Sequence, residues 1–176
     1  MHMGVMTSGR WAQSLAVVRI ILVVLIALPT SFARAGDFND GLCAANRGDY
    51  ATAMREWKPL AEEGNPNAQF NVGQLYAKGY GVKKDQQEAA EWYRRSAEQG
   101  LAQAQYNLGH MYHFGEVGKP DYAEALRLYR LAAGQGMALA QLNVGMLYEA
   151  GNGVAQSYSE AVKWYRRAAS QGLAPA

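Results

Sequence analysis

One unit is written three times in this chain, at Asn65–Gly100, Leu101–Gly136 and Met137–Gly172, each copy 36 residues long and none needing a gap to align with the others. Ala68, Ala104 and Ala140 head the copies, Gly73, Gly109 and Gly145 follow five residues later, and Tyr76, Tyr112 and Tyr148 come next. Gly79, Gly115 and Gly151 end the first half. Ala89, Ala125 and Ala161 open the second half, followed by Tyr93, Tyr129 and Tyr165, then Ala97, Ala133 and Ala169. Self-similarity at such a period marks a stacked repeat array, because each repeat buries its apolar face only against its neighbours.

Within a copy the apolar spacing is helical. Ala68, Val72, Leu75 and Tyr76 fall at i, i+4, i+7 and i+8, one stripe of a helix with 3.6 residues per turn. Asn65-Pro66 reads as a cap followed by a proline at the first helical position. Gly79-Tyr80-Gly81 breaks this helix, and Gly151-Asn152-Gly153 does the same in the third copy. The second helix opens on Asp85, Asp121 or Ser157, each with a glutamate three residues on, at Glu88, Glu124 and Glu160. That is the pattern of a capping box, in which the glutamate reaches back to the cap amide. Gly100, Gly136 and Gly172 supply the left-handed residue that ends it. No strand pattern occurs. The expected fold is all-α: an α/α superhelical solenoid of helix–turn–helix repeats with a 36-residue period.

The flanks differ from the copies. Residues 36–64 read as a degenerate N-terminal capping unit: Ala53 aligns with Ala89, Trp57 with Tyr93, Ala61 with Ala97 and Gly64 with Gly100, while Asp37–Asn46 is short and lacks the Gly and Tyr signature. An atypical end unit is what a solenoid needs where its outer face meets water. Pro59 predicts a bend in that unit's second helix, or a tightening near its end. Residues 173–176 begin a fourth unit, with Ala176 in register with Ala140, so an apolar end face could take up a second copy by self-association. Residues 1–35 read as a signal peptide: a basic lead to Arg19, the apolar run Ile20–Leu28, and Ala33-Arg34-Ala35 as a small-residue cleavage site. Nine apolar residues reach about half the ~20 that span a bilayer. Stable membrane insertion is therefore not expected after cleavage, and the mature chain is expected to be exported, to the periplasm or outside the cell.

Removing residues 1–35 takes away Arg10, Arg19 and Arg34 and leaves 14 basic against 15 acidic residues, a net charge of −1. A near-neutral chain offers no counterion-releasing surface for nucleic acid. Cys43 is the only cysteine, which excludes an internal disulfide framework. It reads as a small buried apolar side chain, the alternative being an intermolecular disulfide. Arg94-Arg95, Arg130 and Arg166-Arg167 share the second helices with Glu91, Glu98, Glu124 and Glu160, a solvated mixed-charge face.

The segment Ala104-Gln105-Tyr106-Asn107-Leu108-Gly109-His110-Met111-Tyr112, then Gly115, Ala125 through Tyr129, Ala132-Ala133 and Gly136, resembles the Sel-one-like repeat family, a relative of the tetratricopeptide repeats. The other copies match at the same positions. The resemblance implies an α/α solenoid that acts as an adaptor holding other proteins together, and exported bacterial members occur. Some exported members carry a disulfide in each repeat; this chain does not.

The resemblance also implies that the first helices line the inner surface. Positions there that vary while the frame repeats are where specificity can live. They are Phe70, Tyr106 and Leu142, then Gln74, His110 and Met146, then Ala77, His113 and Glu149. This strip is the expected groove for a protein or peptide partner. His110 and His113 stand at i, i+3 with Glu149 one unit further, short of the three or four convergent ligands that zinc requires, so no metal or other cofactor is expected. Relatives have been discussed in connection with β-lactams, but the chain has no Ser-x-x-Lys, no Lys-Thr-Gly and no phosphate-binding glycine loop. It is expected to be a non-catalytic scaffold, the alternatives being a cell-envelope enzyme or small-ligand binder related to peptidoglycan or β-lactams, or a self-associating structural element.

Overall fold

The structure, a computed structural model, describes residues 36–172. The signal-peptide reading of residues 1–35 and the stub at 173–176 lie outside the described residues.

Eight helices and no strand occur among the described residues. They are α1 (Phe38–Asn46), α2 (Tyr50–Glu62), α3 (Pro66–Lys78), α4 (Gln86–Glu98), α5 (Ala102–Phe114), α6 (Tyr122–Gly134), α7 (Ala138–Ala150) and α8 (Tyr158–Ala169). The leading unit holds α1 and α2; units 1, 2 and 3 hold α3–α4, α5–α6 and α7–α8. Each helix packs on the next in sequence, the nearest-neighbour pattern of a solenoid.

The repeated glycine is a contact point between the two helices of a unit. A Cβ on Gly73 would lie 2.8 Å from the Tyr93 ring, one on Gly109 would lie 3.0 Å from Tyr129, and one on Gly145 would lie 2.5 Å from Tyr165. In a close-packed interior such a separation leaves no room for a methyl group. The leading unit has the same device, against the expectation that it lacks one. A Cβ on Gly41 would fall inside the indole of Trp57. The backbone confirms the match: the amide of Asp49 donates to the carbonyl of Ala44, as that of Asp85 donates to Tyr76. Gly41 stands three residues before Ala44, as Gly73 stands three before Tyr76. The connection behind it is four residues shorter, which hides the correspondence from a gapless alignment. α1 has nine residues where α3 has thirteen, having lost its first turn.

The caps form as expected on one side only. Asp85, Asp121 and Ser157 accept from the amides of Glu88, Glu124 and Glu160. No glutamate reaches back, which corrects the capping-box reading. The cap amides instead donate to the carbonyls of Tyr76, Tyr112 and Tyr148, at 3.0, 2.9 and 2.9 Å. The donors are thus satisfied by the end of the preceding helix, which holds the turn closed. Glu124 and Glu160 turn outward to Arg127 and Lys163. Pro59 does not end α2, which runs on to Glu62. Its last turn closes through Gly64 on Ala61 as α4 closes through Gly100 on Ala97, so the proline is not the cause of that tightening.

Units are joined by a ladder of buried amides. Gln69, Gln105 and Gln141 are buried and donate through Nε2 to the carbonyls of Ala61, Ala97 and Ala133 in the preceding unit. Their Oε1 atoms accept from Nε2 of Gln99, Gln135 and Gln171 at 2.8, 2.8 and 2.9 Å. Each rung adds a second hydrogen bond to a carbonyl in the last turn of a helix, one that already accepts from the amide of Gly64, Gly100 or Gly136. The arginines of the second helices also tie units together: Arg94 donates to the Tyr112 hydroxyl and Arg130 to that of Tyr148, one unit on in each case.

Cys43 is exposed, which overturns its reading as a buried apolar side chain. It stands at the register position of Leu75, which is buried. No described helix is long and apolar enough to cross a membrane.

Candidate functional site

At the junction of units 1 and 2 the row of first helices opens into a recess of about 280 Å³. Ala77, Gln86 and Tyr93 form one wall and Tyr106, His110 and Glu116 the other. Its floor is set by the repeated frame: Tyr93 is buried against Gly73, and burial pushes its phenol up to about 12. The mouth is polar. His110 Nδ1 lies 3.1 Å from Glu116 Oε1, and Gln86 Oε1 is buried without a hydrogen-bond partner.

The recess is open because of what stands at two register positions. Gln86 replaces a tyrosine that the chain has at Tyr50, Tyr122 and Tyr158. Ala77 occurs where unit 2 has His113. At the junction before it, Tyr50 stacks on Tyr80 with ring centroids 4.4 Å apart. At the junction after it, His113 stacks on Phe114 at 4.5 Å and meets Tyr122 edge-on at 5.5 Å. A tyrosine ring stands at the Gln86 position on both sides, whereas at the Ala77 position unit 2 has the ring of His113 and the leading unit has Ala45.

The residues of the candidate strip do not all line this recess. Tyr106 and His110 line the recess with Ala77. His113 does not line the recess: it is wedged among Phe114, Tyr122 and Tyr129, and its Nδ1 is buried without a partner. Burial, with a smaller contribution from His110, lowers its pKa. Phe114 packs against both imidazoles, of which only His110 lines the recess. Phe70 is half-buried against Tyr93 and Tyr106 against Tyr129, each as much packing as surface. Gln74 and Leu142 are half-buried and line no part of the recess. Met146 is exposed. Glu149 accepts from the Tyr165 hydroxyl at 2.5 Å, and Tyr165 is pushed up to about 12 by burial and then by that carboxylate. Sequence reading passed over Gln86 and Glu116, although the break in the Tyr50–Tyr122–Tyr158 series was there to be seen.

The Sel1 repeat profile matches the chain three times, at residues 66–101, 102–137 and 138–173. No curated protein matches. Among solved structures, the chain is similar to a Sel1 repeat protein from Oxalobacter formigenes, at 40% identity over 77% of this chain and 56% of that one, with a TM-score of 0.73. It is also similar to c5321, a protective antigen of uropathogenic Escherichia coli strains displaying an SLR fold, at 38% identity, 80% and 32% coverage and a TM-score of 0.74. The chain thus spans about half the length of the first and a third of the second. Helicobacter pylori cysteine rich protein B shares the fold at 19% identity, 74% and 94% coverage and a TM-score of 0.56.

Proposed function

The chain belongs to the Sel1 repeat family, whose members generally mediate protein–protein interaction, and on that premise we propose that it is an exported, non-catalytic adaptor that holds a partner peptide on its row of first helices, anchored at the junction of units 1 and 2. The observation that carries this reading is the recess itself, open where Gln86 stands in for a repeated tyrosine and Ala77 for the His113 of unit 2. Its chemistry suits a side chain that fills an apolar slot and ends in a hydrogen-bond donor. Gln86 Oε1 has an unused acceptor, Glu116 is a carboxylate at the mouth, and an unmatched buried acceptor is a strong reason to prefer a partner that supplies the missing donor. Arginine, lysine and amide side chains meet that requirement. Ala, Gln, Tyr, Asn, His, Met and Glu line the recess, with no serine, threonine or cysteine nucleophile, which supports a binding role over a hydrolytic one.

Refilling the recess with the chain's own residues tests this. Ala77→His with Gln86→Tyr imports the pair found at His113 and Tyr122, in a frame already known to hold it. The variant is expected to keep its helicity and melting temperature and to lose partner capture from envelope extracts at least tenfold. Capture equal to that of the unmodified chain would refute the site. Export rests on the Ile20–Leu28 run and the Ala33-Arg34-Ala35 site. Protein from the exported fraction is expected to begin at Gly36, and an intact Ala35–Gly36 bond there would overturn that part of the proposal.

A further inference from the structure

The row of second helices carries a recess of its own, of about 350 Å³, also at the junction of units 1 and 2. Its floor is Ala97, Leu108 and Leu128, and Arg94, Arg127 and Leu131 stand around it, Leu131 being 44% exposed. In the units on either side the protein occupies the corresponding space with its own side chain. The position of Leu128 is Trp92 one unit earlier and Trp164 one unit later. Trp92 packs in one cluster with Ala61, Ala68 and Val72, and Trp164 lies against the cluster of Ala133, Ala140 and Val144. Leu128 packs with the equivalent Ala97, Ala104 and Leu108. The position of Leu131 is Arg95 and Arg167, whose guanidinium carbons stand 4.7 and 4.5 Å from the ring centroids of Trp92 and Trp164. Unit 2 lacks both the indole and the guanidinium over it. Leu108 is one methylene larger than Val72 and Val144 and takes up part of the room, and the rest stays open.

We propose that this recess receives the indole of a tryptophan on a protein partner. The sibling units show what the frame accepts at this point, an indole laid on alanine and an aliphatic side chain. The rim supplies the cation that the siblings place over the ring: Arg94 and Arg127 both line the recess, and Arg127 is held by Glu124 at 2.6 Å. A guanidinium over an aromatic face is attractive, and most so when partly desolvated. Glu98 and Glu124 also line the recess, and either carboxylate can accept the indole N–H. Aromatic anchors in such pockets carry much of the binding energy of protein interfaces, so one recess of this kind can fix a partner's register. The site lies on the opposite row from the Ala77–Gln86 recess and uses none of its residues, so either can fail alone.

The test is a titration of the full chain with N-acetyl-L-tryptophanamide, read by NMR at the leucine methyl groups. Saturable shifts are expected at Leu108, Leu128 and Leu131, with N-acetyl-L-leucinamide binding at least tenfold more weakly. Leu128→Trp with Leu131→Arg restores the sibling pair and is expected to abolish binding at an undiminished melting temperature. Should that variant not fold, Leu131→Asp, at an exposed position, is expected to weaken binding at least threefold. Absence of saturation, an equal response to the leucinamide, or retained binding in the filled variant would overturn the proposal. So would a concentration-dependent association of the chain with itself that disappears on filling, since the occupant would then be a second copy.

Discussion

Gly109→Leu is expected to destabilise the protein by about 3 kcal/mol or more, the upper range of overpacking, and to lower the melting temperature by roughly 10 °C. The reason is the absence of any direction in which to yield. A Cβ at this position would meet Tyr129 at 3.0 Å and the Leu128 Cβ at 3.3 Å, and a leucine adds three further carbons beyond it. Tyr129 is fully buried, and its cluster includes Ala125, Ala132, Ala140 and Val144. Moving the ring therefore disturbs the packing between units 2 and 3. Glycine in a helix costs about 1 kcal/mol relative to alanine, which a purely local view would expect the substitution to regain. Gly134 provides the comparison. It is helical with nothing within 4 Å of a built Cβ, and Gly134→Ala is expected to leave stability unchanged or raise it by up to ~1 kcal/mol. Thermal denaturation followed by circular dichroism checks both. An unchanged melting temperature for Gly109→Leu would refute the packing account of the repeated glycine.

Trp57→Ala is expected to cost about 3–5 kcal/mol, the usual range for removing a buried tryptophan, and to spend that loss locally. Trp57 is 4% exposed and packs with Ala44, Ala53, Ala61, Ala68 and Val72, and its Nε1 donates to the Phe38 carbonyl at 3.1 Å. α1 is one turn short and closes onto Trp57 through Gly41. In a solenoid, stability is a sum of unit terms and nearest-neighbour interfaces, so the damage should not spread evenly. Hydrogen exchange read by mass spectrometry is expected to show α1 and α2 losing protection while α7 and α8 keep theirs. Equal loss in all units would show one cooperative core and not a stack of neighbours.

These outcomes also mark what the sequence could and could not disclose. A gapless period makes the helices, their turns and the Gly–Tyr contact legible, because each repeated residue type answers to a repeated environment. Gly41 escaped because a connection shortened by four residues breaks the count while leaving the contact intact. The reach-back of Glu88, Glu124 and Glu160 was a sound local inference, but it failed for a tertiary reason. The carbonyls of Tyr76, Tyr112 and Tyr148 reach the cap amides, and no reading of four consecutive residues can show that. Cys43 misled because burial of cysteine is a general tendency, whereas α1 is a truncated helix, the first among the described residues.

The site was legible in half. Departures from the repeat did point to Tyr106 and His110. They did not show that His113, three residues further on, is wedged against Tyr122 and Tyr129 and lines no part of the recess, since a shared helix face says nothing about what fills the space beside it. Gln86 and Glu116 lie outside the first helices altogether. Gln86 lies on α4 and Glu116 in the turn after α5, and both matter because the unit boundary brings them beside Ala77 and Tyr106.

The central claim is that the partner is held where Gln86 stands in for the repeated tyrosine. Hydrogen exchange of the chain with its captured partner bound tests it most directly. The account predicts new protection in α5, in the turn that carries Glu116 and at the start of α4 around Gln86, with α1 and α8 unchanged. Protection confined to the leading unit or to α8, with α5 exchanging as in the free chain, would contradict it.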